Sequence, residues 1–295
     1  MRVLPIKPLA PVTSAFIGGL FGYLTRGKRV NSSDMIATVL GCGTSTGVPL
    51  IQCRCSVCRS RNARNKRLRA SLWLQIRGKS ILIDTATDLR QQALREKIAR
   101  VDAVLYTHPH ADHVHGIDEL RSFNFLQQTS IPLYGNEWTC QELQKKFEYI
   151  FRPKPVEGGG IPELILHAFD PLVDEMEICG EKVIPLPLKH GSKQSVGYRI
   201  GSLAYLTDCS ELPDLSRSRL EGLSVLILDC LRVTPHPTHL NLDGALQIIS
   251  ELKPEKAFLT HMGHDFDFGK LSRMLPKGLA PAHDGLRLRI PDPLK

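Results

Sequence analysis

Between Thr107 and Gly116 the chain runs Thr-His-Pro-His-Ala-Asp-His-Val-His-Gly, which places His108, His110, Asp112, His113 and His115 within eight residues. The apolar run Val101-Asp-Ala-Val-Leu-Tyr106 leads straight into it. A buried strand therefore delivers a polar cluster to its C-terminal end, where open α/β sheets place their sites. Neutral imidazoles and a carboxylate are ligands that Zn²⁺ or Mn²⁺ prefers. His108 and His110 alternate in extended chain and can face one metal. Asp112 and His113 follow at the turn and can reach a second. The alternative is a solvated, His-rich loop that chelates without catalysis.

The device recurs further along. Met176 to Leu188 forms a hairpin that ends at Lys189-His190-Gly191, and Leu203-Ala-Tyr-Leu-Thr runs into Asp208. Lys256-Ala-Phe-Leu-Thr260 runs into His261. A lone histidine at a strand end is more often structural, but within this series His190 is expected as a third ligand of the first metal, Asp208 as a carboxylate between both, and His261 as the last ligand of the second. The buried strand Leu223 to Asp229 is followed by His236 and His239, the latter just before a helix with apolar Leu242, Ala245, Leu246, Ile248 and Ile249. An imidazole there can meet a phosphoryl oxygen beside the N–H groups of the helix start.

Cys53-Arg-Cys55-Ser-Val-Cys58 is too tight for bridging within itself and reads as a metal knuckle, or else as three free thiols on a surface loop. Three thiolates leave one tetrahedral position open. His264, three residues past His261 and facing elsewhere, is available to fill it as the fourth ligand of a structural Zn²⁺. Cys42, Cys140, Cys179, Cys209 and Cys230 lie in apolar or strand-like contexts and are expected to be buried thiols in a reducing compartment.

A chain of 295 residues, 42% hydrophobic and 23% charged, suits one large α/β domain. Its net charge of +8 is uneven: residues 1–69 hold 12 Lys/Arg and one acid, and the rest is mildly acidic. General nucleic-acid affinity does not follow from the total. Residues 1–34 form an extension, either poorly ordered or a targeting or membrane-associating segment. The apolar run from Leu9 to Leu24 is short for a span and broken by Pro11, Gly18, Gly19 and Gly22. Residues 35–295 form the catalytic domain, with the knuckle at 53–58 inserted. The basic residues from Arg59 to Arg69 either line a route for an anion or stay solvated. The Gly41–Gly47 turn offers three glycines for positive φ and borders the site. Residues 70–84 read as a hairpin, and Asp84 to Asp88 caps a helix Leu89–Ile98. A helix starts at Gly116 and runs through Leu126, a second covers Glu137–Phe151, and Arg152 to Gly160 is a flexible rim.

These motifs resemble the metallo-β-lactamase-fold hydrolases, and particularly the phosphoribosyl cyclic phosphodiesterase branch of phosphonate degradation. The resemblance covers residues 35–290. It implies a four-layer αβ/βα sandwich with two metals, Zn²⁺ or Mn²⁺, in the cleft between the sheets. It implies His108, His110 and His190 on one ion, Asp112, His113 and His261 on the other, and Asp208 between them. It further implies a separate structural zinc at Cys53, Cys55, Cys58 and His264, and Asp84 supporting the ligand loops from behind. In related branches a His six residues before an Ala at such a helix start faces the scissile phosphate, an offset that His239 has to Ala245 and His236 does not. The closing stretch from Pro281 carries His283 where an aromatic residue is more usual, which leaves its role open.

Two such ions make water a nucleophile near neutral pH, as a hydroxide between them, and offset charge on a phosphodiester. The expected activity is phosphodiester hydrolysis of small cyclic or activated substrates, with Asp112, Asp208 and His239 at the reacting centre. A tRNA 3′-processing nuclease is the alternative that the basic run favours, although no long substrate-clamping insertion is present. Thioester or lactone hydrolysis is another. A cytoplasmic protein is expected, with a small-molecule phosphodiester as partner, nucleic acid not favoured, no stable membrane partner, and a homodimer possible.

Overall fold

Alternating and fully apolar runs make strands of three to ten residues wherever turn residues bound them, and they assemble into two sheets. The computed structural model describes residues 35–152, 160–173 and 175–291. The expectations for residues 1–34, and those for 153–159 of the rim, lie outside them. The first six strands are β1 (Met35–Gly41), β2 (Ser71–Ile76), β3 (Lys79–Ile83), β4 (Ala103–Leu105), β5 (Ile131–Asn136) and β6 (Leu164–Phe169). The next seven are β7 (Met176–Ile178), β8 (Glu181–His190), β9 (Lys193–Ile200), β10 (Leu203–Leu206), β11 (Val225–Asp229), β12 (Lys256–Thr260) and β13 (Leu279–Pro281). The chain then crosses back as β14 (Arg287–Ile290), giving sheet orders β14-β1-β2-β3-β4-β5-β6 and β13-β12-β11-β10-β9-β8-β7. In each sheet an antiparallel half passes into a parallel half, at β3–β4 and at β10–β11.

The two inner faces share one core, in which Val39, Leu72, Ile83 and Leu105 of the first sheet join Leu186, Tyr198, Leu206 and Leu228 of the second. Each such aliphatic side chain contributes roughly 1.5–3 kcal/mol by leaving water. A second core lies on the outer face of the first sheet, under α1 (Leu89–Glu96), α3 (Leu120–Gln127) and α4 (Glu137–Lys146). The one-turn helix α2 (Ala111–Val114) carries part of the His-rich motif. Against the second sheet lie α6 (Asp214–Ser218), α7 (Leu242–Leu252), whose Ala245 and Ile248 are buried, and α8 (Phe268–Met274). This is the four-layer α/β sandwich expected.

Local details differ from expectation for tertiary reasons. The expected helix over Glu137–Phe151 breaks at Phe147 (φ −117°, ψ 44°), where the side chain turns into the core, and resumes as α5 (Glu148–Phe151). The stretch after Gly116 opens with a 3-10 turn over Ile117–Glu119. Asp88 makes no capping bond to α1, because its carboxylate is taken by Arg69 N and Arg69 Nη1. Of the three glycines in the first turn only Gly47 has positive φ. Gly41 serves close approach, since a Cβ there would stand 2.0 Å from the Arg69 carbonyl oxygen. Cys179 is half-buried at a turn, unlike the other four thiols outside the knuckle, which are buried. Among the described residues no helix is long and apolar enough to cross a membrane.

Candidate metal centre

Strands from both sheets end at one rim, and several end on a ligand-type side chain. β4, β10 and β12 each run through a fully buried threonine (Thr107, Thr207, Thr260) into His108, Asp208 and His261. β8 ends in His190, and Asp84 follows the last residue of β3. The sheets are tied across this rim by Val196 N donating to Thr107 O (2.9 Å) and Tyr198 OH donating to Tyr106 O (2.6 Å). Asp84, Asp208 and His261 have φ of 64°, 55° and 57°, a left-handed backbone that turns each side chain inward and that non-glycine residues adopt at a cost.

The predicted residues converge. His108 Nε2 lies 2.9 Å from His110 Nδ1, and the His190 ring centroid stands 5.2 and 5.1 Å from those of His108 and His110. Asp112, His113, Asp208 and His261 form a second, wholly buried group. There His113 Nε2 lies 3.2 Å from Asp112 Oδ2 and 3.1 Å from Asp208 Oδ2, and His261 Nε2 lies 3.5 Å from each carboxylate. Asp208 also reaches the first group, with Oδ1 3.7 Å from His108 Nε2. It therefore stands between the two.

Outer partners aim these rings. The Thr238 carbonyl accepts from His190 Nδ1 at 2.8 Å, which requires the proton on that nitrogen and leaves Nε2 free to bind. The contact needs Gly191, because a Cβ there would lie 2.6 Å from Thr238 Cγ2. Asp84 is fully buried and accepts from Thr107 N (2.8 Å), Thr107 Oγ1 (2.8 Å) and His113 Nδ1 (2.7 Å). It holds the histidine loop from behind and caps no helix.

Burial lowers the pKa values of His108, His110 and His190, which favours the neutral, ligating form. Burial also opposes charge on His113 and His261, but Asp208 and the neighbouring carboxylates outweigh it and raise both. Asp208 is held well below the usual range: burial would raise it, and His261, His113 and His108 overcome that. Four buried carboxylates (Asp84, Asp112, Asp208, Asp229) facing one cluster demand compensating positive charge. His113 Nε2 and His261 Nε2 are buried without a hydrogen-bond partner among the described residues. Orphaned imidazole nitrogens aimed at the same buried carboxylates are what a divalent-cation site leaves behind, so the donor set fits metal.

His239 joins the same cavity. Its ring stacks on His261 (4.8 Å, 10°), meets His190 edge-on (4.9 Å), and places Nε2 3.9 Å from Asp208 Oδ1. The N–H groups expected beside it are largely spent, since Leu242 N donates to Arg232 O and Gly244 N to Asn241 Oδ1. His236 turns back on Thr238, His115 is exposed against Phe147, and His283 packs edge-on to Phe268. None of these three belongs to a ligand cluster among the described residues. Sequence reasoning missed Asp229, which lies with His239 and His261. The available signal was its place, at the end of a buried strand like those that carry Asp208 and His261.

The four knuckle residues come together. Cys53, Cys55 and Cys58 Sγ lie 3.3, 3.6 and 3.5 Å from His264 Nδ1. Tetrahedral zinc, with bonds of about 2.3 Å to sulfur and 2.0 Å to nitrogen, sets that edge near 3.5 Å. The basic run beside it is mostly structural. Arg67 is buried and donates to Gly263 O (3.1 Å) and Phe266 O (2.7 Å), Lys66 Nζ donates to Cys58 O, and Arg64 lies over Phe268.

The sequence model of the β-lactamase superfamily domain matches residues 79–262. The chain belongs to that superfamily, as a metallo-β-lactamase-fold hydrolase. Within it the chain stands close to the PhnP family. A crystal structure described as a new diphosphatase from that family is 43% identical, covers 87% of this chain and 97% of its own, and superposes with a TM-score of 0.81. A protein named octanoyltransferase from Porphyromonas gingivalis is 34% identical over 87% of this chain, which spans only 52% of that relative's length. The zinc-bound PqqB of Methylobacterium extorquens shares the fold, at TM-score 0.70 and 18% identity over 86% of this chain and all of its own.

Proposed function

We propose that the chain is a phosphodiesterase acting on small cyclic or activated phosphodiesters of the phosphoribosyl cyclic phosphate type. His108, His110 and His190 would hold one divalent ion, Asp112, His113 and His261 the other, with Asp208 shared. Zinc or manganese suits that donor set. When bound, such a pair supplies Lewis acidity, making water nucleophilic at neutral pH and offsetting phosphoryl charge.

The chain's own residues do the rest. Asp84, Thr107 and Thr238 fix the direction of His113, His108 and His190. His239 carries the choice of phosphoryl chemistry, because it shares the cavity with both ligand groups yet is left over when each is filled. From there its imidazole contacts a non-bridging oxygen or hands a proton to the departing alkoxide. The relative described as a diphosphatase supports a substrate with an activated phosphoryl bond.

The test is a turnover screen of zinc- and manganese-loaded protein. Substrates are bis(p-nitrophenyl) phosphate, ribose cyclic phosphates, 2′,3′-cyclic nucleotides, a diphosphate ester, RNA and thioesters. Cleavage of the small phosphoesters with RNA and thioesters untouched is expected. Cleavage of thioesters alone overturns the proposal.

A further inference from the structure

We infer that Asp229 is a positioning residue that sets the orientation and tautomer of His239 and His261 together. For His239 this rests on the phosphodiesterase reading above.

Asp229 closes β11, which lies between β10 and β12, and it pairs in register with Thr260, the residue before His261. Its carboxylate is fully buried. Each oxygen is anchored by a backbone N–H and faces one imidazole. Oδ1 takes Asp208 N (3.3 Å) and lies 3.5 Å from His261 Nδ1. Oδ2 takes Leu240 N (3.0 Å) and lies 3.4 Å from His239 Nδ1. Neither Nδ1 has a hydrogen-bond partner among the described residues. Gaps of this length close with a small ring rotation, and such bonds tighten when a site is loaded. The two rings stack near-parallel beside it, 4.8 Å apart at 10°.

Both oxygens already accept a backbone N–H and face a ring nitrogen as acceptors, so each Nδ1 is the atom that carries the proton. His261 Nε2 then offers its lone pair toward Asp112 and Asp208, as a metal ligand must. His239 Nε2 is left facing the cavity. One side chain thus aligns a ligand of the second ion with the histidine that meets substrate.

The experiment uses full-length, zinc-loaded protein labelled with ¹⁵N-histidine. Long-range ¹H–¹⁵N correlation should show protonated Nδ1 on both His239 and His261. Asp229→Asn keeps one acceptor oxygen but turns an NH₂ toward the other ring. It should disturb at least one of the two tautomers and weaken the second zinc roughly 10–100-fold by chelator competition. It should also lower kcat on bis(p-nitrophenyl) phosphate more than it raises KM, and Asp229→Glu should recover part of each loss. An unprotonated Nδ1 on either histidine in the wild type overturns the inference, as does Asp229→Asn with unchanged tautomers and zinc affinity. The wild-type spectrum decides the matter should Asp229→Asn fail to fold. A wild-type protein inert toward phosphodiesters but with both tautomers as stated removes the proposed activity and leaves the positioning role of Asp229 standing.

Discussion

His261 and His264 stand three residues apart on one loop and face two different centres: His261 Nε2 meets Asp112 and Asp208, and His264 Nδ1 meets three cysteine sulfurs. The loop between them is pinned on both sides. Met262 N donates to Cys42 O (2.8 Å), and buried Arg67 holds the carbonyls of Gly263 and Phe266. The knuckle therefore acts as the outer anchor of a loop whose inner end reaches the proposed metal pair.

Cys55→Ser should bind one zinc fewer and melt roughly 5–10 °C lower, because a structural zinc adds its binding energy to folding. Turnover per correctly loaded molecule should fall much less than stability. Metal analysis and thermal melts check this. Unchanged zinc content and melting temperature would remove the knuckle.

Asp208→Ala should keep the fold and lose at least about 100-fold in kcat, since the Asp208 carboxylate lies between both ligand groups. Metal stoichiometry should drop with it. Circular dichroism, metal analysis and kinetics on bis(p-nitrophenyl) phosphate separate the outcomes, and near-normal turnover would sink the two-ion assignment.

His239→Ala should leave metal content intact while kcat falls about 10²–10⁴-fold, the range for loss of a proton-transfer group. A substrate whose leaving group needs no proton, such as a p-nitrophenyl ester, should suffer less than an alkyl ester. Equal losses on the two would argue against a proton role and for phosphoryl contact alone.

Asp284 supplies a pH signature. Burial lifts its carboxyl from 3.8 to about 6, although it accepts from Leu68 N at 2.9 Å and Cys42 N at 3.2 Å. A raised folded pKa means the contribution is complete below the unfolded value and is lost as pH climbs through the folded one. The wild type should therefore lose stability relative to Asp284→Asn between about pH 4 and 6, by at most about 3 kcal/mol. Urea unfolding of both proteins at pH 4 and pH 7 measures the change, and parallel pH profiles would refute it.

The proposed ligands His108, Asp208 and His261 stood out because each follows a strand whose apolar pattern is local: Leu105 before Thr107-His108, Leu206 before Thr207-Asp208, Leu259 before Thr260-His261. The sandwich came from the family resemblance that these motifs carry. Partners distant in sequence were mostly not readable from the residues themselves, although His264 was expected beside the three cysteines and the family resemblance implied Asp84 behind the ligand loops. Asp84 and Asp88 look alike as caps, yet one supports His113 and the other is claimed by Arg69. Arg67 reads as one more surface base and is buried against two carbonyls. Phe147 breaks a helix because its ring joins a core assembled from residues spread along the chain, a fact no helical period records. Asp229 shows the same strand-end pattern as its neighbours, but its two histidine partners become visible only in space.

Asp84, Asp208 and His261 occupy backbone that suits glycine or asparagine better than themselves. A lineage released from its chemistry would gain stability by replacing them, so relaxed selection should erase these three early and leave the sandwich intact. Among descendants of this fold, retention of acid and imidazole at those bends marks a protein still under selection for what the centre does.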